Sequence, residues 1–111
     1  MLGRKNRLNQ AICGQIMKAG KYAPPSLLFT LRYIYSADSP RFSVVAPKKT
    51  AKLAVHRNSN RRRVYAALRA HMNEASVPPI LGMFILRSDL THTPVPAIQR
   101  EIAEILAKIP R

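Results

Sequence analysis

Residues 54–69, AVHRNSNRRRVYAALR, decide how this chain folds and pose its central question. Apolar side chains at Val64, Tyr65 and Leu68, continued by Met72, recur with the spacing of one helix face. The same stretch carries Arg57, Arg61, Arg62, Arg63 and Arg69. On a helical wheel of about 100° per residue, Arg57 and Arg61 fall on the apolar stripe, one to two turns ahead of it. Asn58, Arg62 and Arg69 fall on the neighbouring stripe, and Arg63 points away. The C-terminal half of the helix is therefore predicted to grip a core. The N-terminal half is predicted to overhang a sheet or face a groove.

Such a helix works against itself in isolation. Arg57 and Arg61 form an i, i+4 like-charge pair, as do Lys48 and Lys52 if the helix starts early, and each pair costs a few tenths of a kcal/mol. Cations near a helix N-terminus also oppose the helix dipole. A phosphate backbone reverses the sign of these penalties, because the guanidinium fork matches phosphate oxygens. Arg57 and Arg61 are thus expected to gain only from a bound anion, and their removal to leave the free fold intact.

The rest of the composition points the same way. The chain has 111 residues, enough for a single domain spanning 1–111 with one modest core, and 47% of them are apolar. Lys plus Arg number 19 against 5 acids, a formal net charge of +14. Residues 1–73 carry fifteen of the nineteen basic residues and a single acid, Asp38. The basic character is regional, which favours a nucleic-acid surface over a uniformly solvated coat or a membrane patch. Cys13 is the sole cysteine, so no intrachain disulfide is possible. Its neighbours Ile12, Ile16 and Met17 favour a buried, inert thiol. No signal-peptide pattern and no run of about 20 apolar residues is present. A soluble, cytoplasmic protein with no membrane partner is expected.

Along the chain, residues 9–19 read as a short helix ending at Gly20, with Tyr22 to Pro25 a possible edge strand before a double proline. Residues 26–36, SLLFTLRYIYS, alternate as a strand, with Leu27, Phe29, Leu31, Tyr33 and Tyr35 on one face. After the ADSP turn, RFSVVAP (41–47) reads as a second strand, antiparallel to the first because the connection is short. Thr50 is a candidate cap for the arginine helix, which should run to about Asn73. Following the EASVPP loop, ILGMFILR (80–87) is apolar on both faces and should be a buried strand. Thr93-Pro94 should open a last amphipathic helix that Pro110 stops. The fold class is α+β, a two-layer sandwich of one sheet with helices packed on it.

No protein-borne catalytic set is visible. His56, His71 and His92 lack metal-ligand spacing, and one cysteine cannot complete a zinc site. The carboxylates are scattered, which argues against a two-metal nuclease, and there is no Gly-rich phosphate loop. His56, within the basic stretch, reads as a solvated or RNA-contacting residue.

The stretch PKKTAKLAVHRNSNRRRVYAALR (47–69), a basic pair, a spacer, RN and then a basic run entering an amphipathic helix, resembles the bacterial ribonuclease P protein component. The similarity extends to the helix ending in Gly20, to LLFTLRYIY and RFSVVAPKK, to GMFILR and to the last helix. The resemblance implies an α-β-β-β-α-β-α order with a left-handed crossover, shared with a ribosomal-protein domain. It implies a subunit that assists a catalytic RNA in removing the 5′ leader of precursor tRNA. The chemistry and the Mg²⁺ ions then belong to the RNA, and the partners are the RNA subunit and precursor tRNA, with no obligate protein partner. Lys48, Lys49, Lys52, Arg57, Asn58, Arg61, Arg62 and Arg69 match the family's RNA-binding positions, while Ser59 stands where a third basic residue is common. The leader is expected in a cleft between the first helix and the sheet. There Cys13 and Met17 replace two phenylalanines, and Phe29, Leu31, Phe42 and Val44 are expected to compensate. A ribosomal or other structured-RNA binder without a processing role is the alternative. A helix-turn-helix DNA binder is disfavoured because strands, not a helix, precede residues 52–73.

Overall fold

The computed structural model describes residues 10–23, 26–35, 40–71 and 78–109. The double proline at 24–25, residues 37–39 of the expected ADSP turn, Met72, the proposed helix end at Asn73, residues 74–77 of the expected EASVPP loop and Pro110 lie outside them. The elements are α1 (Gln10–Ala19), β1 (Lys21–Tyr22), β2 (Phe29–Tyr35), β3 (Arg41–Val45), α2 (Ala54–Arg69), β4 (Ile80–Leu86) and α3 (Val95–Ala107). The α-β-β-β-α-β-α order and the α+β class are those expected.

The sheet order is β1-β2-β4-β3. Strands β1 and β2 pair antiparallel, as do β2 and β4, while β3 runs parallel to β4. This corrects one reading: β2 and β3 run in opposite directions, but they are not neighbours, because β4 lies between them. The reason is burial. Strand β4 presents apolar side chains on both faces, so the centre of the sheet, covered on each side, is where it loses most water-exposed surface.

Period-two alternation then sorts the faces. Phe29, Leu31, Tyr33, Phe42, Val44, Ile80, Phe84 and Leu86 join Val64, Tyr65 and Leu68 of α2 and Ile98, Ile102 and Ile105 of α3 in one core. The Phe84 ring lies 5.5 Å from both Phe29 and Phe42. Gly82 sits beneath this cluster, where an added Cβ would meet Leu31 and Phe42 side-chain carbons at 3.1 Å. Helix α1 covers part of the opposite face, against β2 and β4. Ile16 is fully buried there, and Arg32 reaches from β2 to the Gly20 carbonyl at 3.3 Å. Gly20 follows the last residue of α1 and closes its final bond, N–H to the Ile16 carbonyl at 2.7 Å, in a position where a Cβ would stand 2.4 Å from that same oxygen.

Helix α2 starts later than Thr50. That hydroxyl bonds the Pro47 carbonyl at 2.6 Å and closes a turn instead, and Leu53 takes the cap position without a side-chain bond. Helix α3 likewise starts one residue late, with Pro94 in extended conformation at its cap and Pro96 in its first turn.

The buried polar residue of α2 is Asn60, fully enclosed, whose amide donates to Asp89 Oδ1 at 3.1 Å. Asp89 also accepts from the Thr91 hydroxyl and from the Thr91 N–H at 2.9 Å. Arg63 was expected to point away; it is half-buried and donates to the Thr93 carbonyl. Together these bonds fasten α2 to the segment between β4 and α3. The bonds from Thr91 and then Asn60, with the nearby His56, hold the Asp89 carboxyl down at about 2 against an ordinary 3.8. A depressed carboxylate pKa stabilises the fold above the unfolded value, and that contribution is lost as protons bind. Stability should therefore fall as pH drops from about 4 toward 2, and Asp89→Asn should flatten that part of the slope. Urea denaturation across this pH range is the check.

Candidate nucleic-acid interface

The loop from Pro47 to Leu53 and the first half of α2 bring the sequence-predicted basic residues onto one continuous segment, except Arg69, which is the last residue of the helix. Lys48, Lys49, Lys52, Asn58, Arg62 and Arg69 are exposed, and Arg57 and Arg61 are half-buried. Arg61 donates to the Asn58 side-chain oxygen, one helical turn earlier. The first turn of α2 contains no acidic residue. Its amide ends, the cap without a side-chain bond and the lysines around it make a segment favourable to anions. Leu53 and Val55 are exposed apolar side chains set among these cations, which the wheel alone did not single out.

Arg57 departs from the expectation that it gains only from an anion. Its Nη1 donates to the Ala51 carbonyl at 2.9 Å and to the Lys52 carbonyl at 2.8 Å. The side chain folds back over the helix start and ties down the loop that carries the lysines. Sequence periodicity cannot reveal this, because the acceptors are backbone atoms in an irregular segment.

The second group of predicted residues divides. Cys13 is half-buried and Met17 is 49% exposed, both on α1. Phe29, Leu31, Phe42 and Val44 do not line that side of the sheet. They lie on the opposite face, sealed under α2 and α3, with Phe29, Leu31 and Phe42 fully inaccessible and Val44 at 5%. They are core residues and cannot touch a strand bound beside α1. The sheet positions that share a face with α1 are Thr30, Arg32, Ile34, Leu81, Met83, Ile85, Arg41, Ser43 and Val45, by alternation and register.

Among the described residues no three His, Cys, Asp or Glu side chains come together as a cation site. His71 is engaged with the Gln99 carbonyl at 3.2 Å, joining the end of α2 to α3. No described helix is long and apolar enough to cross a membrane.

The family model for ribonuclease P matches residues 3–110. The chain belongs to that family. Membership makes it a ribonuclease P component, with a place in tRNA processing. Its fold is similar to that of the ribonuclease P protein from Thermotoga maritima, at 20% identity over 95% of this chain and 98% of that one, TM-score 0.78. It is also similar to the ribonuclease P protein from Staphylococcus aureus, at 20% identity over 91% and 92% of the two chains, TM-score 0.73. A Staphylococcus aureus variant described as defective in mRNA degradation matches at 20% identity over 93% and 86%, TM-score 0.76.

The geometry separates two kinds of arginine. Arg57→Ala removes two bonds from a cationic donor and should lower stability by about 1–2 kcal/mol. Arg62→Ala, at an exposed site, should stay within about 0.5 kcal/mol of wild type. Thermal denaturation of the two free variants side by side checks this.

Proposed function

We propose that this chain binds the catalytic RNA of ribonuclease P through the loop at 48–53 and the first half of α2. Lys48, Lys49, Lys52, Asn58, Arg61 and Arg62 meet phosphate, and Arg57 holds the loop in the shape that presents them. Arg69, about two turns beyond Arg62 on the same stripe, extends the contact. The observation that carries this reading is the clustering of exposed cations at a helix start without acids, on a chain of net charge +14.

The 5′ leader of precursor tRNA lies beside α1, on the sheet face of Thr30, Ser43 and Ile85, with Cys13 and Met17 on the helix side. The chain contributes binding and positioning. The bond-breaking step and its Mg²⁺ ions are assigned to the RNA. The complex works in the cytoplasm and needs no further protein subunit.

The protein alone should cleave no precursor tRNA. With its cognate RNA it should lower the Mg²⁺ concentration needed for leader removal, measured by gel assay of end-labelled precursor over a Mg²⁺ series. No improvement at any Mg²⁺ concentration would overturn the assignment and favour a structured-RNA binder without a processing role.

A further inference from the structure

Tyr22 lies at the outer edge of the sheet, and its side chain is 64% exposed. It stands directly opposite Arg32 in the β1–β2 register, so both side chains rise from the face that carries α1. The Arg32 guanidinium lies over the Tyr22 ring, 4.7 Å from its centroid. Arg32 is itself fixed at two points, donating to the Gly20 carbonyl at 3.3 Å and to the Met17 sulfur at 4.0 Å. Met17, on α1, is a second large apolar side chain exposed on this side.

An exposed tyrosine usually carries rotamer freedom that a ligand must quench. Here the cation behind the ring has already restricted it. That preorganisation lowers the cost of laying a flat group on the ring. The neighbourhood selects the group. Lys18 and Lys21 flank the site in sequence, and the chain's net charge of +14 repels a cationic ligand. A neutral π-face attached to a phosphate backbone satisfies both conditions.

We propose that Tyr22, backed by Arg32 and flanked by Met17, is a stacking platform for one unpaired nucleobase of the precursor's single-stranded leader. The proposal rests on the leader-binding reading above and names a residue that the sequence pattern assigned only to an edge strand. Base–aromatic stacking is worth about 1–3 kcal/mol per base, which is about fivefold in affinity at its lower end.

The test uses the assembled ribonucleoprotein with precursor and mature tRNA. Tyr22→Ala should reduce the ratio of precursor to mature affinity by about fivefold or more. Tyr22→Phe and Tyr22→Trp should keep the ratio within about twofold, since each retains a ring. The chain contains no tryptophan, so Tyr22→Trp is also a unique fluorophore, whose emission should be quenched by precursor and not by mature tRNA. An unchanged ratio in Tyr22→Ala would overturn the proposal. So would a parallel loss for both tRNAs, which would place the ring against the RNA subunit. If wild type shows no precursor preference, the leader reading fails instead. The platform is then judged by Tyr22→Trp quenching with a short single-stranded oligoribonucleotide: quenching upholds it, and its absence removes it.

Discussion

Helix α2 must bury one end and display cations at the other, and the rest of the molecule is arranged around that requirement. Val64, Ala67 and Leu68 are fully buried against the sheet and α3, at a gain of about 1.5–3 kcal/mol for each large apolar side chain. The Tyr65 hydroxyl accepts the Val44 N–H at 3.2 Å. Strand β3 is at the edge of the sheet, and this bond covers an amide that would otherwise face outward. Asn60 and Arg63 then fasten the middle of the helix to Asp89 and to the Thr93 carbonyl. The helix is fixed without calling on Lys48, Lys49, Lys52 or Arg62.

This division explains how a free protein of such high charge can hold a basic surface in one shape. Repulsion among the cations and an unfavourable dipole contribution act on the first half of α2. The anchoring comes from elsewhere: an apolar second half, a buried amide and an arginine that bonds backbone carbonyls in the preceding loop. Arg57 converts one of the chain's many cations from a source of repulsion into a tether. A polyanion approaching this segment would meet cations whose ordering cost is already partly met by the fold.

Much of this was legible in the sequence, and the failures have physical causes. The apolar stripe of Val64, Tyr65 and Leu68 located the buried half of α2, because periodicity reports burial directly. Asn60 was missed because an apolar pattern cannot register a polar residue buried for a partner 29 positions away. The β2–β3 pairing was misjudged because a short connection was weighed above the continuous apolar run of β4, which itself signalled a central strand. Phe29 and Leu31 were read correctly as one face of a strand, but they were assigned with Phe42 and Val44 to the leader cleft, whereas all four lie in the core. Alternation could not say which helix covers that face, and α2 and α3 do. Tyr22 and Arg32 are adjacent only through strand register, which short edge strands leave nearly invisible in sequence.

The central claim is that the cationic half of α2 is helical before any RNA arrives. Amide hydrogen exchange of the free protein, resolved across residues 56–69, tests it directly. The account predicts slow exchange along the whole stretch, with residues 57–61 protected together with residues 64–68. Exchange at coil-like rates over residues 57–61, beside protection at 64–68, would show that the cationic half is not folded in the free protein and would contradict the account.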